Sequence, residues 1–483
     1  MSNNKSENKS PEAITELIES SAQKPARPND LFRPVDILWI KIDEIVDAHR
    51  RMRKALTGQE EAVKRSIVRF GNRIPILVSG KNTDGKHRVI DGHNRLAAAR
   101  LLGAVSLPCI LVDDLPEMEL RRLALSLNKL QETGGWDEEA LHLEINEIIE
   151  IDGDYEIPGF SLPEIEAIRF GNMEVGEVDP ADDLSGLGHQ DALPVSKPGD
   201  LWVLGDHRLL CGSARDAIGL AAVLDGQVAD AVFTDQPFNV KINGHVRNAS
   251  SGFAEFAEAS GEMSRETFIA FLSETLGNVA VLVKPGGILF ACMDWRHVDE
   301  MTKALTALKL ELLNICVWVK SYPGMGSLYR SQHEFVFVAR KQGASHLNNI
   351  QLGKHGRNRS NVWHYPGATG GSVDSDDDFA THPTVKPIRM VMDALLDVTA
   401  PNDLVIDPFL GSGTTMLAAE RTRRRCIGVE IEPAYVDLAI RRWQMMTGGQ
   451  AAHAEMGYTF DELEQGHVDG SSLEPMSDNG KAF

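Results

Sequence analysis

The segment DLVIDPFLGSGTTMLAAERTRRRCIGVE, residues 403–430, has the pattern of a strand, a glycine-containing turn, a helix and a second strand. Its apolar runs LVI and CIGV have strand character, and the stretch between them favours a helix. The surrounding block, from about Gly199 to Met446, alternates strands with helices in the same way. This alternation predicts an α/β fold, in which helices cover both faces of a mostly parallel, doubly wound sheet.

Three acidic side chains directly follow strands of this predicted sheet. Asp235 follows DAVFT, Asp407 follows DLVI and Glu430 follows CIGV. In an open parallel sheet, ligands bind beyond the carboxyl ends of the strands. The three acids are therefore predicted to converge at one edge of the sheet.

The turn after Asp407 has two glycines one residue apart, which allow a tight turn and a close approach of the backbone to a ligand. It is not a phosphate loop, because no lysine follows the second glycine, and it lacks the third glycine of the dinucleotide fingerprint. Taken alone, a helix-initiating turn without a ligand explains it equally well. Glu430, however, lies 23 residues after Asp407, where an acid would hold a ribose diol. The pattern predicts a cofactor that carries a ribose.

Three motifs together resemble the DNA methyltransferases that methylate exocyclic amines. DPFLGSGTT at 407–415 resembles their S-adenosylmethionine motif, DQPF at 235–238 resembles their catalytic tetrapeptide [DNS]-P-P-[YFW], and HPTVKP at 382–387 is similar to the segment before the cofactor motif. The order of the motifs is that of the β group. The resemblance covers about residues 197–446 and implies a Rossmann-like methyltransferase domain.

The resemblance implies the functional residues motif by motif. It places Lys386 on the cofactor side, at the carboxylate of the cofactor, with capping of a helix as the alternative. No metal is required. The implied catalytic residues are Asp235, Gln236, Pro237 and Phe238, and the implied cofactor-binding residues are Asp407, Phe409, Gly411, Gly413, Thr414, Glu430 and Lys386.

The residue types suit methyl transfer to an amine of a DNA base. The lone pair of an exocyclic amine is delocalised into the ring, so acceptors at its two N–H bonds, the Asp235 carboxylate and the Gln236 carbonyl, would free it for attack. The base must be flipped out of the duplex and stacked, which is the task of Phe238. Adenine N6 is the favoured target, because cytosine-N4 enzymes more often begin the tetrapeptide with serine. Two alternatives remain: a cytosine-N4 enzyme, and a catalytically weak DNA-binding adaptor.

Gln236 departs from the family pattern, which usually has proline at this position. The main-chain carbonyl that the family uses survives the change, but the rigid φ of proline is lost. We expect activity to be retained, with an inactive enzyme as the competing interpretation. A second departure is Ser213, which stands where the family usually has an acid, with Asp216 three residues on.

The N-terminal part has a separate resemblance. DGHNRLAAARLLG at 91–103 resembles the ParB-like domain, which is shared distantly with sulfiredoxin. Of the G-E-R-R turn of partition proteins only Gly92 and Arg95 are retained, and His93 stands where sulfiredoxins have cysteine. We expect a smaller mixed α/β module that binds DNA or a nucleotide, with Arg95 near a phosphate. A helix cap with Arg95 in a structural ion pair is an equal alternative.

Composition limits the partners and the compartment. The formal charge is −21, yet between Trp318 and Asn361 seven basic residues face a single acid, Glu334. This stretch and the insert after Asn239 are predicted to contact double-stranded DNA.

Five scattered cysteines argue against disulfides and zinc ribbons, and the absence of a long apolar run argues against a membrane span. A cytoplasmic protein is expected, and a homodimer is compatible with the sequence. The candidate DNA-binding or nucleotide-binding residues are Arg95, Arg330, Lys354, Arg357 and Arg359.

The chain is too long for one ordinary domain. Its acidic stretches, 174–192 and DSDDD at 374–378, suggest a solvated linker and a loop, and the chain after about residue 450 is expected to be disordered or weakly packed. The predicted organisation is a flexible tail at 1–30, a ParB-like domain at 31–115, a helical extension at 116–172, an acidic linker at 173–196, a methyltransferase domain at 197–448 and an acidic tail at 449–483.

Overall fold

The computed structural model divides into two compact units, Met1–Leu143 with Glu156–Phe160, and Glu144–Tyr155 with Ser161–Phe483. The tail at 1–30, Lys354 and the DSDDD loop lie outside the described residues. The structure describes residues 35–48, 58–130, 135–171, 179–182, 184, 193–240, 258–321, 323, 328–350, 357, 359–367 and 385–469.

The first unit contains a small mixed sheet. Its core consists of alternate side chains of the strands and of Leu96 and Ala99 from one helix. The strand order is β1-β5-β3-β4-β2, with parallel pairing of β3 with β5 and of β2 with β4, and antiparallel pairing elsewhere. The strands are β1 (Ile37–Lys41), β2 (Ile45–Val46), β3 (Ile76–Lys81), β4 (His87–Asp91) and β5 (Ser106–Val112), and the helices are α1 (Gln59–Phe70), α2 (His93–Leu101) and α3 (Glu117–Leu130).

The second unit is built on a ten-stranded sheet among its described residues. The helix α4 (Glu138–Asp152) contributes residues to both units, and α5 (Leu162–Phe170) begins with the capping box of Ser161 and Glu164. The strands are β6 (Leu201–Leu204), β7 (His207–Cys211), β8 (Ala229–Thr234), β9 (Val283–Met293), β10 (Leu310–Val319), β11 (His333–Lys341), β12 (Val362–His364), β13 (Leu404–Asp407), β14 (Arg425–Glu430) and β15 (Ala452–His453).

The large sheet is parallel at its centre and has antiparallel pairs on both sides of this centre, while the edge strand β12 pairs in parallel with β10. Its order is β12-β10-β11-β9-β8-β13-β14-β7-β6-β15. The five strands from β9 to β7 pair in parallel, whereas β11 pairs antiparallel with β9 and β10, and β6 pairs antiparallel with β7 and β15. The predicted parallel sheet is confirmed for these central strands. The β6–β7 hairpin follows from its two-residue connection, which suffices for antiparallel but not for parallel neighbours.

Helices cover both faces of this sheet, as predicted. Neighbouring strand residues point to opposite faces, and accordingly Val405 belongs to one apolar core while Leu404 and Ile406 belong to the other. No helix of the described part of the chain is long and apolar enough to cross a membrane. The first face packs against α9 (Ile388–Val398), α10 (Thr414–Arg421), α11 (Pro433–Thr447) and α12 (Phe460–Asp469), and the second against α6 (Ala217–Leu224), α7 (Arg265–Leu282) and α8 (Val298–Ala307).

Two stretches that the acidic composition marked as loosely packed are in fact packed. Within the predicted linker, Asp179 is buried and pairs with Arg421, while Asp182 is buried and accepts a hydrogen bond of 3.0 Å from the N–H of Ile388 at the start of α9. After residue 450, β15 joins the sheet and the ring of Phe460 is fully buried. The prediction of weak packing is therefore wrong for residues 179–182 and 451–466, because acidic composition does not show which carboxylates find partners.

Candidate active site

The three acids at strand ends lie on neighbouring strands. β13 pairs with β8 on one side and with β14 on the other. Asp235 directly follows Thr234, the last residue of β8, while Asp407 and Glu430 end β13 and β14. The topology thus brings the three acids to one edge of the sheet, as the sequence predicted.

Asp407 is a buried carboxyl group that organises the turn after β13. Its Oδ2 accepts a hydrogen bond of 2.6 Å from Thr415 Oγ1, and its Oδ1 accepts one of 3.0 Å from the N–H of Phe409. Burial raises the pKa of Asp407 to about 7, although both hydrogen bonds oppose this shift. Asp407 therefore fixes the conformation of the turn from its buried side.

Glu430 connects the end of β14 to the same turn. Its Oε2 accepts a hydrogen bond of 2.8 Å from the N–H of Gly411, and its Oε1 accepts one of 2.9 Å from the N–H of Glu432. Burial raises the pKa of Glu430, and these backbone donors oppose it. Each carboxylate oxygen keeps a second lone pair with which it can accept a hydrogen bond from a hydroxyl group.

The two glycines of the turn have different tasks. Gly411 has φ 54°, and a Cβ added there would meet nothing within 4 Å. Gly413 has φ 91°, and its Cβ would lie 2.9 Å from Cβ of Ala439 in α11. Gly411 therefore borders open space, whereas Gly413 lets α10 pack closely against α11.

Arg442 supports the turn from the protein interior, and the sequence did not point to it. This buried side chain donates to the carbonyl oxygen of Ser412 at 2.7 Å, to Ser412 Oγ at 2.9 Å and to Thr414 Oγ1 at 3.3 Å. It also donates to the carbonyl oxygen of Ala181 at 2.8 Å. Burial lowers the pKa of Arg442 to about 10. Phe409, another predicted cofactor residue, is partly buried against the ring of Phe271.

Asp235 is held by a lysine that the sequence placed elsewhere. Lys386 Nζ lies 2.6 Å from Asp235 Oδ2 and 3.2 Å from Glu334 Oε2. Lys320 pairs with the other oxygen of Glu334. None of the described residues donates a hydrogen bond to Asp235 Oδ1. The structure thus sets Lys386 against the predicted catalytic acid, and Glu334, which the sequence analysis noted only as a lone acid, takes part in the site.

The charges in this group influence each other strongly. Burial raises the pKa of Asp235, although the Lys386 ammonium opposes the shift. Burial acts in the same direction on Glu334, but Lys386 and Lys320 outweigh it and lower its pKa to about 2. The two carboxylates in turn outweigh burial at Lys386 and raise its pKa. Lys386 and Glu334 are therefore charged at neutral pH.

Gln236 is anchored through its side chain. The residue is buried, and its Nε2 donates to the carbonyl oxygen of Cys292 in β9. The side-chain amide thus ties the segment after β8 to the neighbouring strand. This contact supplies a restraint at the position where the sequence analysis expected a loss of rigidity.

Phe238 and Asn239 complete the segment after β8. Phe238 is partly buried, and Lys386 Nζ lies 5.4 Å from the centroid of its ring. Asn239 has φ 53°, and its side chain accepts hydrogen bonds from Gly261 and Met263 and donates one of 2.9 Å to the carbonyl oxygen of Met263. Asn239 therefore fixes residues 261–263 beside the tetrapeptide. The insert at 241–257 lies outside the described residues.

The predicted nucleic-acid contacts have mixed outcomes. Arg357 is buried and pairs with Asp397 at 2.7 Å and with Asp393 at 3.4 Å, which contradicts a role in DNA contact. Arg359 also pairs with Asp397 at 2.7 Å and donates to Tyr365. Arg357 and Arg359 thus attach their part of the chain to α9. Arg330 is exposed and donates to the carbonyl oxygen of Pro323.

Arg95 has structural partners within the first unit. It donates to the carbonyl oxygens of Pro75 at 2.8 Å and Ile74 at 3.3 Å, and it lies 3.7 Å from Asp91. Gly92, at the start of α2, has φ 98°. The ion pair that the sequence analysis gave as the alternative is therefore present. These contacts do not test whether Arg95 also binds a phosphate, and the phosphate site remains a prediction.

Comparison with known proteins finds a family match within the second unit. Residues 229–441 match a family model described as DNA methylase, of the N6/N4 class. The type II methyltransferase M2.LlaDCHI of Lactococcus lactis subsp. cremoris is 26% identical over 238 residues, which are 47% of this chain and 86% of that protein. The resemblance to amino-methylating DNA methyltransferases is confirmed for this part of the chain.

Two solved structures show weaker similarity. A complex of M1.HpyAVI with SAM is 23% identical, with a TM-score of 0.36, and the match covers 48% of this chain and 97% of that one. A truncated ParB from Caulobacter crescentus in complex with CTP-gamma-S is 18% identical, with a TM-score of 0.22, and the match covers 29% of this chain and 72% of that one.

Proposed function

We propose that this chain, which carries a DNA methylase domain of the N6/N4 class at residues 229–441, methylates the N6 amine of adenine in double-stranded DNA. The methyl donor of this class is S-adenosylmethionine. The observation that carries the proposal is the arrangement of Asp235, Asp407 and Glu430 on neighbouring strand ends. A base-binding acid and a ribose-binding acid are needed at one edge of the sheet for methyl transfer.

The residues of the turn fit the cofactor. Gly411 faces open space, and Glu430 holds the backbone of Gly411 while keeping lone pairs for a ribose diol. Arg442 and Asp407 fix the same turn from the interior. S-adenosylmethionine would supply a methyl group on a positively charged sulfur, an electrophile that needs no metal.

The segment after β8 would prepare the amine. Asp235 Oδ1 and the main-chain carbonyl of Gln236 would accept its two N–H bonds, and Phe238 would stack on the flipped base. The nitrogen lone pair would then be free to attack the methyl group that the cofactor supplies, with the sulfur as leaving group and one amine proton passing to solvent. The contribution of these residues would be to hold the amine in line with the methyl group and to surround it with fixed charges.

Labelled methyl transfer tests the proposal. The protein is incubated with duplex DNA of mixed sequence and with S-adenosylmethionine carrying a radioactive methyl group, and the DNA is then digested to nucleosides. We expect label on N6-methyl-2′-deoxyadenosine. Label on N4-methyl-2′-deoxycytidine would identify the alternative base, and the absence of label at saturating cofactor would favour a DNA-binding adaptor.

Two aspartate variants control this experiment. Asp235→Asn should abolish labelling while cofactor affinity, measured by calorimetry, stays within about threefold of the unmodified protein. Asp225→Asn makes the same chemical change at an exposed position between α6 and β8, where the backbone has φ 49°, which asparagine tolerates. It should label DNA normally. Persistent labelling in Asp235→Asn would refute the assigned site.

A further inference from the structure

The side chains at the predicted catalytic acid form a row of alternating charge. Lys386 Nζ lies between Asp235 Oδ2, at 2.6 Å, and Glu334 Oε2, at 3.2 Å. Lys320 pairs with Glu334 on its far side. We call Asp235, Lys386, Glu334 and Lys320 the charge row. Two lysines and two carboxylates make it neutral overall.

Aromatic rings confine the central ammonium of the charge row. Lys386 Nζ lies 5.4 Å from the ring centroid of Phe238 and 5.7 Å from that of Trp318, and the side chain is 6% exposed. The indole of Trp318 is itself fixed by a hydrogen bond of 3.0 Å to the carbonyl oxygen of Tyr365. An ammonium enclosed in this way has little freedom to leave Asp235, since both rings and both carboxylates favour its present position.

We propose that Lys386 and Glu334 are positioning residues for the carboxylate of Asp235, a role that rests on the proposed function. Lys386 holds Oδ2 of Asp235, which leaves Oδ1 directed to the target amine. Glu334 holds Lys386, and Lys320 balances the charge of Glu334. This role differs from the cofactor contact that the sequence predicted for Lys386, because its ammonium already lies within ion-pair distance of both carboxylates of the charge row.

The charge of Lys386 matters as much as its position. Asp235 is a stronger hydrogen-bond acceptor when it is ionised than when it is protonated, and burial raises its pKa. Besides Lys386 and Lys320, the titratable groups that act on this cluster are Glu334, Asp407 and the thiol of Cys292. Removing the ammonium would leave a buried carboxyl group among other acids, so it would remain protonated to higher pH.

Kinetics of three variants test this role. Lys386→Met should lower kcat about 10- to 100-fold, with cofactor Kd within about threefold of the unmodified protein. The acid limb of its kcat–pH profile should move to higher pH by one unit or more, since a missing cation raises the pKa of Asp235. Lys386→Arg retains the charge and should restore the acid limb. Glu334→Gln should lower kcat by a smaller factor, because Lys386 then keeps one partner.

Lys284→Met is the matched control. Lys284 pairs with Asp230, near the other end of β8, in a second lysine–aspartate ion pair. Its kcat and acid limb should match those of the unmodified protein. A Lys386→Met protein with normal kcat and a cofactor Kd raised tenfold or more would show a cofactor contact and overturn the inference. A lowered kcat with an unmoved acid limb would also overturn it, since that is the result of altered packing alone.

A measurement without turnover separates this inference from the proposed function. Urea unfolding of Asp235→Asn, Lys386→Met and the double variant at pH 8 gives the coupling between the two side chains. We expect the coupling to change the unfolding equilibrium at least tenfold, which is about 1.4 kcal/mol. Zero coupling would refute the positioning role even in an active enzyme. If the coupling is strong but the unmodified protein labels no DNA, the proposed function is refuted and the positioning role is not.

Discussion

Glu430 Oε2 accepts a hydrogen bond of 2.8 Å from the N–H of Gly411, and this contact joins the acid at the end of β14 to the turn that follows β13. The acid therefore has two tasks at the proposed cofactor site. It shapes the turn, and it keeps lone pairs for a ribose diol. Its position at the end of a strand was predicted from sequence, whereas its bond to Gly411 was not.

The first prediction concerns Glu430. Glu430→Gln should raise the cofactor Kd about 10- to 100-fold, because the amide loses an acceptor oxygen and with it either the turn or the ribose contact. Calorimetric titration with S-adenosylmethionine measures the change. Glu432→Gln, an exposed neighbour two residues on, is the matched control and should bind normally. Equal affinity in both variants would exclude a ribose contact at Glu430.

The second prediction concerns the pH dependence of stability at Asp407. Burial raises its pKa to about 7 in the folded protein, against about 3.9 in an unfolded chain. The folded form binds the proton more tightly, so the stabilisation is complete below about pH 4 and is lost as the pH rises through about 7. Asp407→Asn has no proton to release. Between pH 4 and pH 7 the unmodified protein should lose stability relative to this variant.

Urea unfolding at half-unit intervals of pH measures this difference. The expected loss amounts to a few kcal/mol across the interval, in line with the size of the shift. Thr415→Val is a useful second variant, because it removes the 2.6 Å hydrogen bond to Asp407 while it keeps the carboxyl group. It should retain the pH dependence. Parallel stability curves for Asp407→Asn and the unmodified protein would contradict the raised pKa.

The third prediction concerns Gln236. Its side chain donates to the carbonyl oxygen of Cys292 and restrains the segment after β8. Gln236→Ala should lower kcat about five- to tenfold, because both this bond and the rigidity of the usual proline are then absent. Gln236→Pro restores the common residue of the family and should stay within about threefold of the unmodified protein. An inactive Gln236→Pro and a fully active Gln236→Ala would show that the side chain has no restraining role.

The fourth prediction concerns Arg357, which the sequence assigned to DNA. Arg357→Met should destabilise the protein by about 3–5 kcal/mol, because it leaves Asp393 and Asp397 buried with one cation fewer. The salt dependence of DNA binding should not change. Arg330→Met, at an exposed position, should reduce the slope of log K against log salt by about 0.9 if Arg330 contacts one phosphate. A reduced slope for a stable Arg357→Met would restore the sequence assignment.

The sequence predicted the features that depend on local pattern. Strand ends, the glycine turn and the order of motifs all lie within short segments, so Asp235, Asp407 and Glu430 could be placed on one edge of a sheet. The contacts that complete the site join distant parts of the chain. Lys386 and Asp235 are 151 residues apart, and Arg442 reaches Ser412 across 30 residues. No periodicity marks such pairs, because they arise only when helices pack on the sheet.

Charge patterns were the least reliable guide, for a related physical reason. A basic stretch within an otherwise acidic chain suggested a DNA-binding surface, yet Arg357 and Arg359 in this stretch form ion pairs with acids of α9. Likewise, the acidic linker supplies Asp179 and Asp182 to internal partners. Whether a charged residue is solvated or paired depends on the approach of another segment, which composition does not encode.

The last prediction concerns the boundary of the catalytic unit. Glu166 in α5 and Arg424 before β14 form an ion pair in which both side chains are 0% exposed. Burial raises the pKa of Glu166, and Arg424 opposes this shift. The sequence-based boundary at residue 197 would remove Glu166 and leave Arg424 buried without its carboxylate. Glu166→Gln should therefore destabilise the protein by about 3–5 kcal/mol, since an uncompensated buried charge is costly.

Denaturant unfolding measures this loss, and a second pair of variants makes it specific. Glu166→Leu combined with Arg424→Leu removes both charges and should be more stable than either single variant. Arg425→Leu changes the neighbouring, partly exposed arginine, which donates to Gln227 and to the carbonyl oxygen of Asn402, and should alter stability by about 1 kcal/mol or less. If Glu166→Gln were as stable as Arg425→Leu, the helix α5 would not be an integral part of the catalytic unit.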